Sequence, residues 1–77
     1  MKNIVVKIGH EFINLTNAIT WRFWEHEDGT TILTVEWESS EKDFALPTLT
    51  LSKAVGAMHR GLTNYNKFDL YEMVRKT

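Results

Sequence analysis

The sequence contains no cysteine and a single proline, and its charges nearly cancel, with a formal net charge of −1. Without cysteine, a disulfide framework and any site built on a thiolate are excluded. The near-neutral charge argues against a dedicated nucleic-acid binder, because such affinity comes largely from neutralising phosphates with Lys and Arg. No apolar run reaches the roughly 18 residues of a membrane-spanning helix. We therefore expect a cytoplasmic protein that does not contact a membrane.

The composition is that of a small globular protein, with 43% hydrophobic residues and three tryptophans in 77 residues. We expect one compact domain over residues 1–77, near the lower size limit at which a single hydrophobic core stabilises a fold. A chain of this size gains stability by burying apolar surface against a second copy, so a homodimer is expected.

The clearest element is a hairpin over residues 19–37, in which apolar and polar residues alternate in both halves. A two-residue turn at Asp28-Gly29 would mix apolar and polar residues on both faces. A three-residue loop, with Gly29 left-handed in a G1 bulge, instead places six apolar residues on one face. These are paired as Phe23 with Leu33, Trp21 with Val35 and Ile19 with Trp37. Since a slip of one residue turns a whole strand over, we predict the three-residue loop.

The rest of the chain is interpreted from local patterns. A first hairpin is predicted from residues 4–8 and 12–15, a polar loop over 38–43, and a strand over 48–51. A helix is predicted over 53–60, capped by Ser52 and stopped by a left-handed Gly61, with Gly56 allowing close packing on the sheet. A short second helix is preferred for 65–77, with a strand as the alternative.

Together these elements predict an α+β fold. It consists of an antiparallel sheet of four to five strands, with hairpin 19–37 at its centre and one or two C-terminal helices packed on one face. One face of such a sheet is covered by helices, and the other is left for solvent or a partner.

The outward face of the hairpin is the candidate binding site. It carries the side chains that do not point toward the core, namely Arg22, Trp24, Ile32, Thr34 and Glu36. Tryptophan and arginine are enriched at the energetic centres of protein interfaces. A competing interpretation is that Trp24 is only half exposed and packs over the following loop, against Phe44.

No pattern of catalytic or metal-binding residues stands out. The three histidines, His10, His26 and His59, lack the spacing of a zinc site, and no serine or threonine is placed beside a general base. We therefore expect no enzymatic activity, no cofactor and no metal.

The leading hypothesis is a non-enzymatic interaction module that forms a homodimer and binds a protein partner through a face or an edge of its sheet. Residues 25–43 carry seven acids, and residues 53–76 carry five bases, so the acidic hairpin end could meet the basic part of a second copy. The alternative is a weak single-stranded nucleic-acid binder that stacks bases on Trp24 beside Arg22, although the acids of the hairpin oppose phosphate binding.

The left-handed loop residue gives a first testable prediction. Replacing Gly29 with Val should lower the free energy of unfolding by about 1 kcal/mol or more, because a side chain disfavours positive φ. Thermal unfolding measures the change. If Gly29→Val unfolded at the wild-type temperature, the left-handed bulge and the register derived from it would be wrong.

Overall fold

The computed structural model describes residues 3–76, which form two three-stranded sheets and two helices. The elements are β1 (Val5–Ile8), β2 (Glu11–Asn14), β3 (Thr20–Glu25), β4 (Thr31–Trp37), β5 (Ser40–Leu46), α1 (Leu51–Asn64), β6 (Lys67–Asp69) and α2 (Leu70–Arg75). The α+β class is confirmed, but the expected single sheet is wrong. One sheet has the order β2-β1-β6 and the other β3-β4-β5, so the 19–37 hairpin is not the centre of one continuous sheet. All neighbours are antiparallel except β1 and β6, which run parallel.

The predicted register of the hairpin is confirmed. Phe23 pairs with Leu33 and Trp21 with Val35. Leu33 and Val35 are completely buried, as residues of a core-facing strand should be. Ile19 differs from expectation, since it lies just before β3 and is 64% exposed. Its backbone N–H still extends the ladder by donating to the carbonyl of Glu36 at 2.8 Å.

The loop of the hairpin has the predicted three residues and the predicted bulge. The N–H of Gly29 donates to the His26 carbonyl at 2.9 Å, and Gly29 has φ +91°, in the left-handed region. Asp28 stabilises the loop by accepting the Thr30 N–H at 2.9 Å, a hydrogen bond that lowers the pKa of its carboxyl. A Cβ on Gly29 would contact nothing, so the cost of a side chain there is purely conformational.

The first hairpin is also confirmed. Its strands β1 and β2 belong to the β2-β1-β6 sheet, which contributes to the same core as the β3-β4-β5 sheet. Val6 pairs with Ile13, and both are buried, whereas Phe12 on the opposite face is exposed. At the junction of the sheets, the indole N–H of Trp37 donates to the Asn14 carbonyl at 3.2 Å. Both sheets and both helices contribute to one cluster of buried residues: Val6, Ile8, Ile13, Leu15, Leu33, Val35, Phe44, Leu46, Leu49, Ala54, Ala57, Met58, Phe68, Leu70 and Met73.

The polar loop expected over 38–43 is wrong, because most of it belongs to β5. The reason is that β5 lies at the edge of its sheet and is polar until Phe44, a composition typical of edge strands. Phe44 pairs with Leu33, and Leu46 with Thr31, so these two apolar residues of β5 face the core.

The strand expected over 48–51 is also wrong, because α1 begins there. Thr48 has φ +71°, which interrupts the extended chain before a strand can form. The cap of α1 is Thr50 rather than Ser52, since the Thr50 hydroxyl oxygen accepts the Lys53 N–H at 3.2 Å. Two cap-competent residues lie two positions apart, and the first of them is used.

Gly61 was predicted to end the helix, but it lies inside α1. A Cβ at Gly61 would overlap the ring of Phe68, so Gly61 is the glycine that permits close packing, here against β6. Gly56, which was assigned that role, has open space apart from Arg60. In the tail, a second helix does form, but only over Leu70–Arg75 and after the strand β6, while Thr77 lies outside the described residues.

The two helix glycines form a matched pair for a second prediction. Gly61→Ala should destabilise the protein by about 1–3 kcal/mol, because the ring of the buried Phe68 must move to admit the methyl group. Gly56→Ala, its control, should be neutral or stabilising by up to about 1 kcal/mol, since alanine is the better helix former. Chemical denaturation measures both. Equal effects of the two substitutions would contradict the packing described for Gly61.

Candidate interaction surface

The outward face of the β3-β4-β5 sheet is built from three rows of side chains, with one residue from each strand in every row. The rows follow from the pairing of the strands and from the alternation of side chains between the two faces. Starting near the Gly29 loop, they are an apolar row (Trp24, Ile32, Ala45), a bridged row (Arg22, Thr34, Asp43) and an acidic row (Thr20, Glu36, Glu41).

All five residues of the predicted site lie on this face, distributed over the three rows. They are not equally accessible to a partner. Thr34 is only 1% exposed, so it holds its neighbours in place and does not contact a partner itself. The β5 members of the rows, Glu41, Asp43 and Ala45, were missed because β5 was interpreted as a loop. Their alternation with the inward Phe44 and Leu46 is the signal that could have revealed them.

A chain of hydrogen bonds joins the three strands across the outward face. The indole N–H of Trp24 donates to the Thr34 hydroxyl oxygen at 2.8 Å, and that hydroxyl donates to the Asp43 carboxylate at 2.6 Å. The only polar atom of the Trp24 side chain is thereby satisfied within the protein. If the half-buried ring were covered by a partner, it would leave no unpaired donor in the interface.

The environment of Trp24 also tests the interpretation that its ring packs over the following loop, against Phe44. Packing of Trp24 against Phe44 is wrong, because Phe44 is buried on the opposite face of the sheet. The ring of Trp24 lies instead near His26, with 6.0 Å between the ring centroids. The remaining surface of the indole therefore stays available on the outward face.

The charge on the outward face is predominantly negative. Glu36 and Glu41 are direct neighbours across β4 and β5, an arrangement of like charges that is unfavourable without a compensating cation. Lys42 does not supply it, because its side chain lies on the other face and pairs with Glu11 at 3.1 Å. Arg22 contributes a positive charge to the outward face from the adjacent row.

A second exposed surface lies on the outward face of the β2-β1-β6 sheet and has the opposite charge. Phe12 is 61% exposed there, and the ammonium groups of Lys7 and Lys67 lie 6.0 and 5.3 Å from the centroid of its ring. Lys7 also approaches Asp69 at 3.9 Å. This aromatic and basic surface was not predicted, although Phe12 alternates with the inward Ile13 in the sequence.

Within residues 3–76, no group of three or more His, Cys, Asp or Glu side chains could hold a metal ion. Over the same residues, neither helix has the length and apolar composition needed to cross a membrane. The chain matches no protein-family model, and no curated protein or solved structure is similar enough to count as a match. Any functional conclusion must therefore come from the surfaces themselves.

The bridging hydroxyl gives a third prediction. Thr34→Val keeps the shape of the buried side chain but removes the acceptor of the Trp24 indole N–H, so the protein should lose about 1 kcal/mol of stability. In NMR spectra the indole proton of Trp24 should exchange with solvent faster. Thr20→Val, an exposed threonine on the same face, is the control and should change neither property. Unchanged indole exchange in Thr34→Val would show that the hydrogen bond does not hold Trp24.

Proposed function

We propose that the protein is a non-enzymatic interaction module that forms a homodimer through the apolar row of its β3-β4-β5 sheet. The observation that carries the proposal is the state of Trp24, which is held in place with its N–H satisfied while part of its ring faces outward. A large aromatic side chain that is already ordered loses little conformational entropy on binding, which favours its use as an interface anchor.

The charges on the face favour one arrangement of two copies. If the two-fold axis runs along the apolar row, the apolar rows of the two copies face each other. The two acidic rows then lie on opposite sides of the axis. An axis along the strands would instead place the acidic row against the acidic row of the second copy, which like charges oppose. We therefore propose the first arrangement, with Trp24, Ile32 and Ala45 at its centre.

The face, rather than an edge, is the proposed contact. This sheet has two edges. The edge strand β5 carries the consecutive charged residues Glu41, Lys42 and Asp43, which resist pairing with another strand, and the edge strand β3 contacts α1. Three strands spaced about 4.8 Å apart form a narrow face, smaller than the roughly 800 Å² per partner of a standard stable interface. The expected dimer is accordingly weak, with a dissociation constant in the micromolar range or above.

The fourth prediction tests this dimer by sedimentation equilibrium from low micromolar to millimolar concentrations. Wild-type protein should show a reversible monomer–dimer equilibrium. Trp24→Ala should remain folded, because Thr34 still donates to Asp43, and should weaken self-association about tenfold or more.

The matched control is Phe12→Ala, which removes an aromatic ring of high exposure from the other sheet and should leave the equilibrium unchanged. A wild-type protein that stays monomeric at millimolar concentration would refute the dimer. Equal loss of association in the two variants would refute the assignment of the interface to the apolar row.

A second candidate function, weak binding of single-stranded nucleic acid, is favoured by Phe12 between Lys7 and Lys67 rather than by Trp24 and Arg22. An exposed ring flanked by ammonium groups suits the stacking of a base beside its phosphate. The Phe12→Ala protein serves here as the test variant and Trp24→Ala as the control. Fluorescence anisotropy of a labelled oligonucleotide should rise with wild-type protein and Trp24→Ala but not with Phe12→Ala, and no rise at low salt would eliminate this candidate.

A further inference from the structure

A groove of about 290 Å³ lies between α1 and α2, away from both sheet faces. The residues that line it are Ser52, Lys53, Gly56, Arg60 and Val74. Along α1 the adjacent pair Ser52 and Lys53, then Gly56, then Arg60 follow one another at intervals of about one helical turn, so they lie on one side of the helix. The groove is somewhat smaller than the cavities that hold drug-sized molecules, and its size suits a small polar group.

Two cations of the groove have no acidic partner in the part of the chain that the structure describes. Within residues 3–76, no carboxylate lies within the 4.0 Å of an ion pair from Lys53 or Arg60, although other basic residues of the chain form such pairs. Arg60 is half-buried, so its charge is only partly solvated. A cation in this position is stabilised by a neighbouring anion.

The guanidinium of Arg60 is also incompletely hydrogen-bonded. Its Nη2 donates to the Met73 carbonyl of α2 at 2.8 Å, which holds the side chain across the groove. Its Nε is buried and makes no hydrogen bond to any of the described residues. A buried donor without an acceptor is rare in proteins, and it leaves the charge of the guanidinium less well compensated than usual.

Gly56 is a second, independent indication that the groove binds a ligand. Glycine is a poorer helix former than alanine, and nothing in the fold requires it here, since a Cβ would meet only the Arg60 Nη1 at 3.8 Å. The missing side chain keeps the floor of the groove open beside the guanidinium. Ser52 and Lys53, one turn earlier, place a hydroxyl and an ammonium group at the other end of this floor.

We propose that this groove binds a phosphate group, either as free phosphate or carried by a small molecule. Arg60 would supply its Nη1 donors and its charge, Lys53 a second positive charge and Ser52 a hydroxyl donor, a combination that suits the tetrahedral oxygens and double charge of phosphate. The first turn of α1 contains no acidic residue that would oppose the anion.

The test is an NMR titration of the full chain with sodium phosphate, with sodium chloride added to keep the ionic strength constant. The amide signals of residues 52–60 should shift and saturate. Lys53→Gln should weaken binding about tenfold, the loss expected for one charge-assisted hydrogen bond. Gly56→Leu, which fills the groove without changing a charge, should abolish binding while the protein stays folded.

Arg75→Gln is the matched control, because it removes a positive charge from α2 outside the groove, and it should bind phosphate as the wild type does. Phenyl phosphate distinguishes the two sources, since tighter binding than phosphate indicates a small-molecule phosphate and equal binding indicates the free ion. Equal shifts with sodium acetate, or wild-type affinity in both Lys53→Gln and Gly56→Leu, would overturn the proposal.

Discussion

The register between β3 and β4 is the constraint on which most of this structure depends. It is set by a three-residue loop in which Gly29 is left-handed, and it determines the face on which every side chain of both strands lies. Through it Leu33 and Val35 enter the core, while Trp24 and Ile32 reach the opposite surface. If the register shifted by one residue, the core and the proposed interface would exchange positions on one strand.

The register alone does not order the outward face. The hydrogen bonds from Trp24 through Thr34 to Asp43 also hold its side chains in place. They cross all three strands, and Thr34, at their centre, is buried with both its donor and its acceptor function used. A polar group buried in this way rigidifies its surroundings when it is fully satisfied. The same bonds orient the indole ring, so the stability of the sheet and the order of the proposed interface have a common origin.

Patterns of neighbouring residues predicted much of the fold, and contacts between distant residues account for what they missed. Alternation placed the strands of both hairpins and the outward position of all five site residues, because it depends only on the pleat of a strand. The parallel pairing of β1 with β6 joins residues far apart in sequence, and no local pattern reveals it. Gly61 was interpreted as a helix stop from its type alone, whereas the ring of Phe68 decides its role. The edge strand β5 was missed because its polar residues resemble a loop, and with it Ala45 was lost from the site.

The central claim, that the apolar row forms an interface between two copies, is tested most directly by recording NMR spectra over a dilution series. If two copies associate through this row, the amides around Trp24, Ile32 and Ala45 and the well-resolved indole N–H of Trp24 should show concentration-dependent shifts. The amides of β1 and β2 should not change. Shifts confined to β1 and β2, or spectra that stay constant from micromolar to millimolar concentration, would contradict it.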